Sequence, residues 1–190
     1  MNGTTEALPM TLNASRRAIR RILTVVALAT ACVVGMTGPA QALPLPVDLF
    51  DNNPASRWTV WSTGNGTGSF GNSQARLDHS LSTGWTEISR DVSLGAPDSD
   101  IGCAFEIQLR GTSSSAVSTV NLEVINPNNW QYLSLKQVQV SGQQWQSFLM
   151  LGWVHRVNPV KFRVSLLAAG GQARTVHIDT MTGMCGFIED

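Results

Sequence analysis

The sequence predicts an all-β protein: an antiparallel β-sandwich of jelly-roll type carrying one disulfide. Apolar residues recur at every second position over at least eight short segments, the pattern of half-buried strands. Gly, Pro and Asn punctuate those segments at regular spacing, and no window sustains a helical period. Only two cysteines follow the leader, Cys103 and Cys185, an even pair as a disulfide requires.

Residues 1–42 stand apart. Arg16, Arg17, Arg20 and Arg21 precede an apolar run from Ile22 to Val34, and Ala40-Gln41-Ala42 offers small residues for cleavage. This is the layout of a secretory signal peptide cut after Ala42, which makes the mature protein extracellular. The run is too short for a good membrane anchor. Residues 43–190 suffice for one domain with a real core. Removing four Arg and one Glu with the leader, from 13 basic and 13 acidic side chains, leaves nine and twelve, net −3. No basic run remains, so nucleic acid is not the expected partner. Neither membrane insertion nor an oligomer is expected.

The elements follow in order. Leu49-Phe50-Asp51 and Arg57 to Trp61 read as two short strands around an Asn52-Asn53-Pro54 turn. Ser62 to Gly71 reads as a loop of Gly, Ser, Thr and Asn. Trp85 to Leu94 is a strand with Ile88, Val92 and Leu94 inward and Arg90 against the alternation. Cys103, Phe105, Ile107 and Leu109 alternate with Ala104, Glu106, Gln108 and Arg110, the cleanest strand of the chain. Val120, Leu122 and Val124 begin a hairpin that turns at Asn126-Pro127-Asn128-Asn129 and returns through Trp130, Tyr132, Ser134 and Lys136, with Leu133 and Leu135 on the other parity. A β-bulge is expected between Leu135 and Val138, where parity slips. Trp145 to Val154, Val160 to Leu166 and Thr175 to Met181 complete the strands, the last two after Pro159 and a Gly170-Gly171 turn.

Cys103 and Cys185 most simply pair with each other in an exported chain. A metal or redox site would need more ligands or a C-x-x-C, and neither is present.

Collecting the polar parities gives one expected binding face: Glu106, Gln108, Asn121, Glu123, Trp130, Tyr132, Lys136 and Arg163. Rings can stack on the apolar face of a pyranose while amides and charges bond its hydroxyls, so the expected partner is a polysaccharide or other glycan. Trp130 and Tyr132 are the expected platform. The same polarity would also follow from a solvated face with Glu123 and Arg163 as a cross-strand pair. Trp58, Trp85 and Trp145 are assigned to the core, and Trp61 and Trp153 are left unassigned.

The series Phe50-Asp51 … Trp58, Cys103-x-Phe105-x-Ile107 … Leu122-x-Val124, Val140-x-Gly142-x-x-Trp145-x-x-Phe148 and Val176-x-Ile178-Asp179 resembles secreted carbohydrate-binding modules with the galactose-binding-like jelly roll. The resemblance spans Leu49 to about Cys185 and rests on loose patterns at strand ends. It implies a structural calcium held by Asp51 and Asp179, with backbone carbonyls completing its oxygen ligands. Such modules usually accompany a catalytic domain, so a lectin-like binder without one is the expectation here.

Catalysis is not expected. His79, His155 and His177 form no zinc motif, and no Ser is singled out as a nucleophile. Glu106 and Glu123 would share a face as a glycosidase pair does, but Arg110 and Arg163 would share it too. The rival to glycan binding is a protein-binding or inhibitory role on the same fold.

Overall fold

In a computed structural model the described residues are 43–187, without 46 and 95–99. The expected signal peptide and its cleavage site lie outside them. The strands are β1 Leu43–Pro44, β2 Thr59–Ser62, β3 Thr67–Gly71, β4 Gln74–His79, β5 Trp85–Val92, β6 Asp100–Arg110, β7 Ser118–Ile125, β8 Tyr132–Val140, β9 Gln146–His155, β10 Val160–Leu167 and β11 Arg174–Phe187. They form two antiparallel sheets. One runs β3-β4-β11-β6-β9 with β1 added on β11, and the other runs β2-β5-β10-β7-β8. Among the described residues the only helical element is a 3₁₀ turn, Pro54–Ser56, and no helix is long and apolar enough to cross a membrane.

The expected alternation holds where the apolar residues are strongest. Phe105, Ile107 and Leu109 of β6 face Leu122 and Val124 of β7 and Phe162, Val164 and Leu166 of β10 across one core. Phe105 and Phe162 bring their ring centroids to 5.4 Å across the two sheets. Cys103 and Cys185 pair in register between β6 and β11 and form the disulfide.

The stretch from Ser62 to Gly71, expected to be a loop, instead holds β3, which pairs with β4 in a hairpin. Its turn residues Asn72 and Ser73 take φ of 53° and 55° without a glycine at either position, so the usual Gly signal is missing. Ala75 and Leu77 of β4 are fully buried and tie the hairpin to the core.

A second difference changes which side chains share a face. The bulge in β8 falls at Leu133, since Val124 pairs with Ser134 and Ile125 with Tyr132, not between Leu135 and Val138. One extra residue flips the parity of everything after it. Tyr132 and Leu135 therefore lie on the outer face of the sheet, while Ser134 and Lys136 turn toward the other sheet. There Ser134 Oγ donates to the Leu151 carbonyl at 2.8 Å and Lys136 Nζ to the Leu149 carbonyl at 2.6 Å. These bonds satisfy carbonyls on β9, an edge strand that would otherwise present them to another chain. Gly152 permits the approach, because a Cβ there would lie 3.0 Å from the Ser134 Cβ.

Candidate functional site

The outer face of the β2-β5-β10-β7-β8 sheet is built from rows of cross-strand neighbours. Trp61 pairs with Glu87, Glu87 with Ser165, Ser165 with Asn121, and Asn121 with Gln137, a line crossing all five strands. The next row reads Thr59, Ser89, Arg163, Glu123 and Leu135. Ile88 and Val92 of β5 point into the core, so Trp85, Glu87 and Ser89 must point out. The same rule sends Arg163 and Ser165 outward between Phe162, Val164 and Leu166.

Aromatic rings stand at both ends of this face. Trp61, half exposed at 51 %, lies 5.3 Å from Trp85 by ring centroids. Tyr132, equally exposed, marks the opposite edge, and its hydroxyl accepts from Arg163 Nη2 at 3.1 Å. Between them Arg163 Nε donates to Glu123 Oε2 and its Nη1 lies 3.5 Å from Glu87 Oε2. Trp85 Nε1 donates to the same Glu87 oxygen at 2.7 Å. Gln137 Nε2 donates to Asn121 Oδ1 at 3.1 Å, and Thr119 Oγ1 to Gln139 Oε1 at 3.2 Å.

Burial pushes the Glu87 carboxyl above the usual range, and the charge of Glu123 adds to it. The Arg163 charge and the Trp85 bond only partly offset this. Burial lowers the Arg163 guanidinium, but the bond and charge of Glu123 and the charge of Glu87 outweigh it and leave it raised. Lys161 pairs with Asp91 at 2.7 Å. Both cations of the face are therefore already matched by carboxylates.

The expected site residues divide. Asn121, Glu123, Tyr132 and Arg163 share this face as expected, and Glu123 with Arg163 form the cross-strand pair. Lys136 leaves it through the bulge described above. Glu106 and Gln108 lie on the outer face of the other sheet, in register with Leu149 and Ser147 of β9. That placement also separates Glu106 from Glu123, so the two cannot act as a carboxylate pair. Trp130 sits in the β7–β8 turn at φ 60°, 60 % exposed, and belongs to no strand parity. The turn is held by Asn126 Oδ1 accepting from the Asn128 amide and Asn129 Oδ1 from the Gln131 amide, each at 3.0 Å.

Two residues of the face escape the sequence reading. It places Trp85 in the core and leaves Trp61 unassigned, although the inward parity of Ile88 and Val92 points Trp85 outward, and Trp61 is in register with Glu87 beside it. Trp58 does fill the core end, stacked 5.1 Å from Phe50. Trp145 does not: it is half-buried beneath Arg110, whose Cζ lies 4.8 Å from its ring.

The implied calcium meets an unsuitable donor set. Asp51 is exposed, and the carbonyls of Asp51 and Asn52, the natural backbone ligands beside it, accept from Arg57 Nη2 at 2.9 Å and Nη1 at 2.8 Å. Asp179 is buried in β11. Among the described residues no three His, Cys, Asp or Glu side chains group as a metal site. The anion that anchors this end of the sandwich is Asp48, and arginines neutralise it. Arg57 bonds it through Nε and Nη2 at 3.1 and 3.0 Å, and Arg90 through Nη1 at 2.5 Å.

No family model matches the chain, and no curated protein matches it either. Solved structures do. A family 4 carbohydrate-binding module superposes at a TM-score of 0.50 with 14 % identity, over 72 % of this chain and 97 % of its own. The protein has the β-sandwich fold of carbohydrate-binding modules. A point variant of a family 29 module matches at 0.50 and 13 % identity, over 76 % of this chain and 86 % of its own. An arabinose-bound α-L-arabinofuranosidase matches at 0.54 and 14 % identity over 78 % of this chain, which spans only 27 % of that enzyme.

Proposed function

We propose that the protein is an exported, non-catalytic glycan-binding protein whose ligand lies across the outer face of the β2-β5-β10-β7-β8 sheet. One observation carries this: Trp61, Trp85 and Tyr132 flank a continuous row of Glu87, Ser165, Asn121 and Gln137. Rings supply contact area at low conformational cost, and the row supplies donors and acceptors for sugar hydroxyls. The carbohydrate-binding-module fold supports the ligand class. The leader of residues 1–42 supports export.

The arrangement favours binding over hydrolysis. A glycosidase holds its two carboxylates on either side of the bond to be cleaved. Here Glu87 and Glu123 both turn toward one guanidinium, that of Arg163, which occupies the space between them.

The test is retention of the mature protein on a panel of polysaccharides, with Trp61→Ala and Tyr132→Ala beside the wild type. The wild type should be retained on at least one of them. Trp61→Ala should weaken retention by about 2 kcal/mol, the threshold for an anchor residue, with the melting temperature unchanged. Retention of both variants at wild-type strength would overturn the assignment of this face.

A further inference from the structure

A cleft of about 370 Å³ lies between the segment 50–54 and the β3–β4 turn, residues 70–73. It shares no residue with the rows of the glycan face. Its volume stands at the low end of the roughly 300–1,000 Å³ of small-molecule sites, room for about one or two sugar rings and not for a long chain.

Both walls of the cleft are held by bonds within the protein. Phe50 and Asn52, neither of them glycine, stand at φ 54° and 48°. Asp48 Oδ1 accepts from the Phe50 amide at 2.9 Å. Arg57 Nη2 and Nη1 bond the carbonyls of Asp51 and Asn52 at 2.9 and 2.8 Å. Left-handed positions of this kind persist only where the surroundings impose them, and they gather at ligand sites. The opposite wall is the hairpin, where Phe70 pairs with Ala75 and Gly71 with Gln74. Walls fixed in advance lower the ordering cost of binding.

The groups these walls present suit a neutral polyol. Phe70 is partly exposed in the cleft, and its ring stacks on buried Phe50 at 6.5 Å with the planes 16° apart. Beside it stand the Asp51 carboxylate and the amides of Asn52 and Asn72, all on exposed residues and so open to a ligand. The bond from Asn52 Nδ2 to Asp51 Oδ1 is 3.4 Å long and holds neither group firmly. No Lys, Arg or His lines the cleft. Arg57 is turned to Asp48 and to the two carbonyls. An anionic ligand would therefore meet Asp51 without a countercharge from the lining.

Resting on the glycan reading above, we infer that this cleft is a second sugar site, separate from the sheet face, which takes a short neutral saccharide. The sugar ring packs on Phe70. Asp51 accepts from two adjacent hydroxyls, and the Asn52 and Asn72 amides bond those beyond. The Asp51 charge turns away a uronate in the same place. With the sheet face holding a chain and the cleft a second sugar, the protein is bivalent for glycan.

The experiment is an amide NMR titration of the mature protein with glucose, galactose, mannose, xylose and glucuronate. It uses wild type, Asp51→Asn, Asn72→Gly and Trp61→Ala, with retention on polysaccharide measured in parallel. At least one neutral sugar should shift residues 50–52 and 70–73 saturably, and glucuronate should leave them unmoved. Asp51→Asn should weaken that sugar about tenfold, the loss of a bond to a charged group. Asn72→Gly keeps the left-handed backbone, removes the amide and should also weaken it. Trp61→Ala should leave cleft binding unchanged. The inference is overturned if none of the neutral sugars shifts these residues, if both cleft variants bind as wild type does, or if glucuronate binds as tightly. Loss of polysaccharide retention in Trp61→Ala would then leave the glycan face standing. Cleft binding that persists while Trp61→Ala is retained at full strength supports the cleft and removes the face.

Discussion

Arg90 Nη1 lies 2.5 Å from Asp48 Oδ2, joining two positions 42 residues apart at a buried end of the sandwich. The same oxygen accepts from Trp58 Nε1 at 2.8 Å, and Oδ1 accepts from the Phe50 amide at 2.9 Å. Burial raises the Asp48 carboxyl, but the bonds from Arg57, Phe50 and Trp58 outweigh this and hold it below the usual range. The guanidinium groups thus supply, within the protein, the positive charge that a calcium ion would bring to such a place.

Asp48→Asn should cost about 3 kcal/mol in urea unfolding, because it leaves the partly buried guanidinium groups of Arg57 and Arg90 without their carboxylate. Excess chelator should leave the wild-type melting curve unchanged. A chelator-induced fall, reversed by calcium, would return a structural metal to the fold.

The Glu87 carboxyl is raised by burial, so the folded state binds its proton more tightly than the unfolded chain does. Stability from this group is therefore greatest at acid pH and declines as pH rises from the ordinary glutamate value through the raised folded one. Asp48 has the opposite sign: its contribution is present above the unfolded carboxylate value and lost as pH falls through the lowered folded one. Melting temperatures of wild type and Glu87→Gln across that range should converge toward acid pH. The variant should be relatively more stable above it. A constant difference between the two curves would refute the assignment.

The Cys103–Cys185 bond spans 82 residues of sequence and fastens β6 to β11 in the middle of one sheet. Titration of the denatured, unreduced mature protein should find no free thiol. The double variant Cys103→Ala, Cys185→Ala should lose about 4–5 kcal/mol if unfolded-chain entropy dominates. Two reactive thiols per chain would contradict the pairing.

Much of the architecture is legible from residues alone. Period-two alternation in Cys103 to Leu109 and Val160 to Leu166 identifies core strands, because a sheet buried on one side forces that pattern. Two cysteines after residue 42 leave one simple pairing. The pair of Glu123 and Arg163 is also visible, since both sit on the polar parity of adjacent strands.

What the tertiary structure decided was which polar parities share a surface. Alternation says which side of its own strand a residue occupies, and nothing about which of two sheets that strand joins. Glu106 and Gln108 are outward on β6, and Asn121 and Glu123 outward on β7, yet the core lies between them. Register is equally hidden: one extra residue at Leu133 leaves Tyr132 on the outer face and sends Lys136 to the carbonyls of β9. The tryptophans mislead for a related reason. A large apolar ring reads as core by composition, but Trp61 and Trp85 are kept outside by strands whose other parity already fills the interior with Ile88 and Val60.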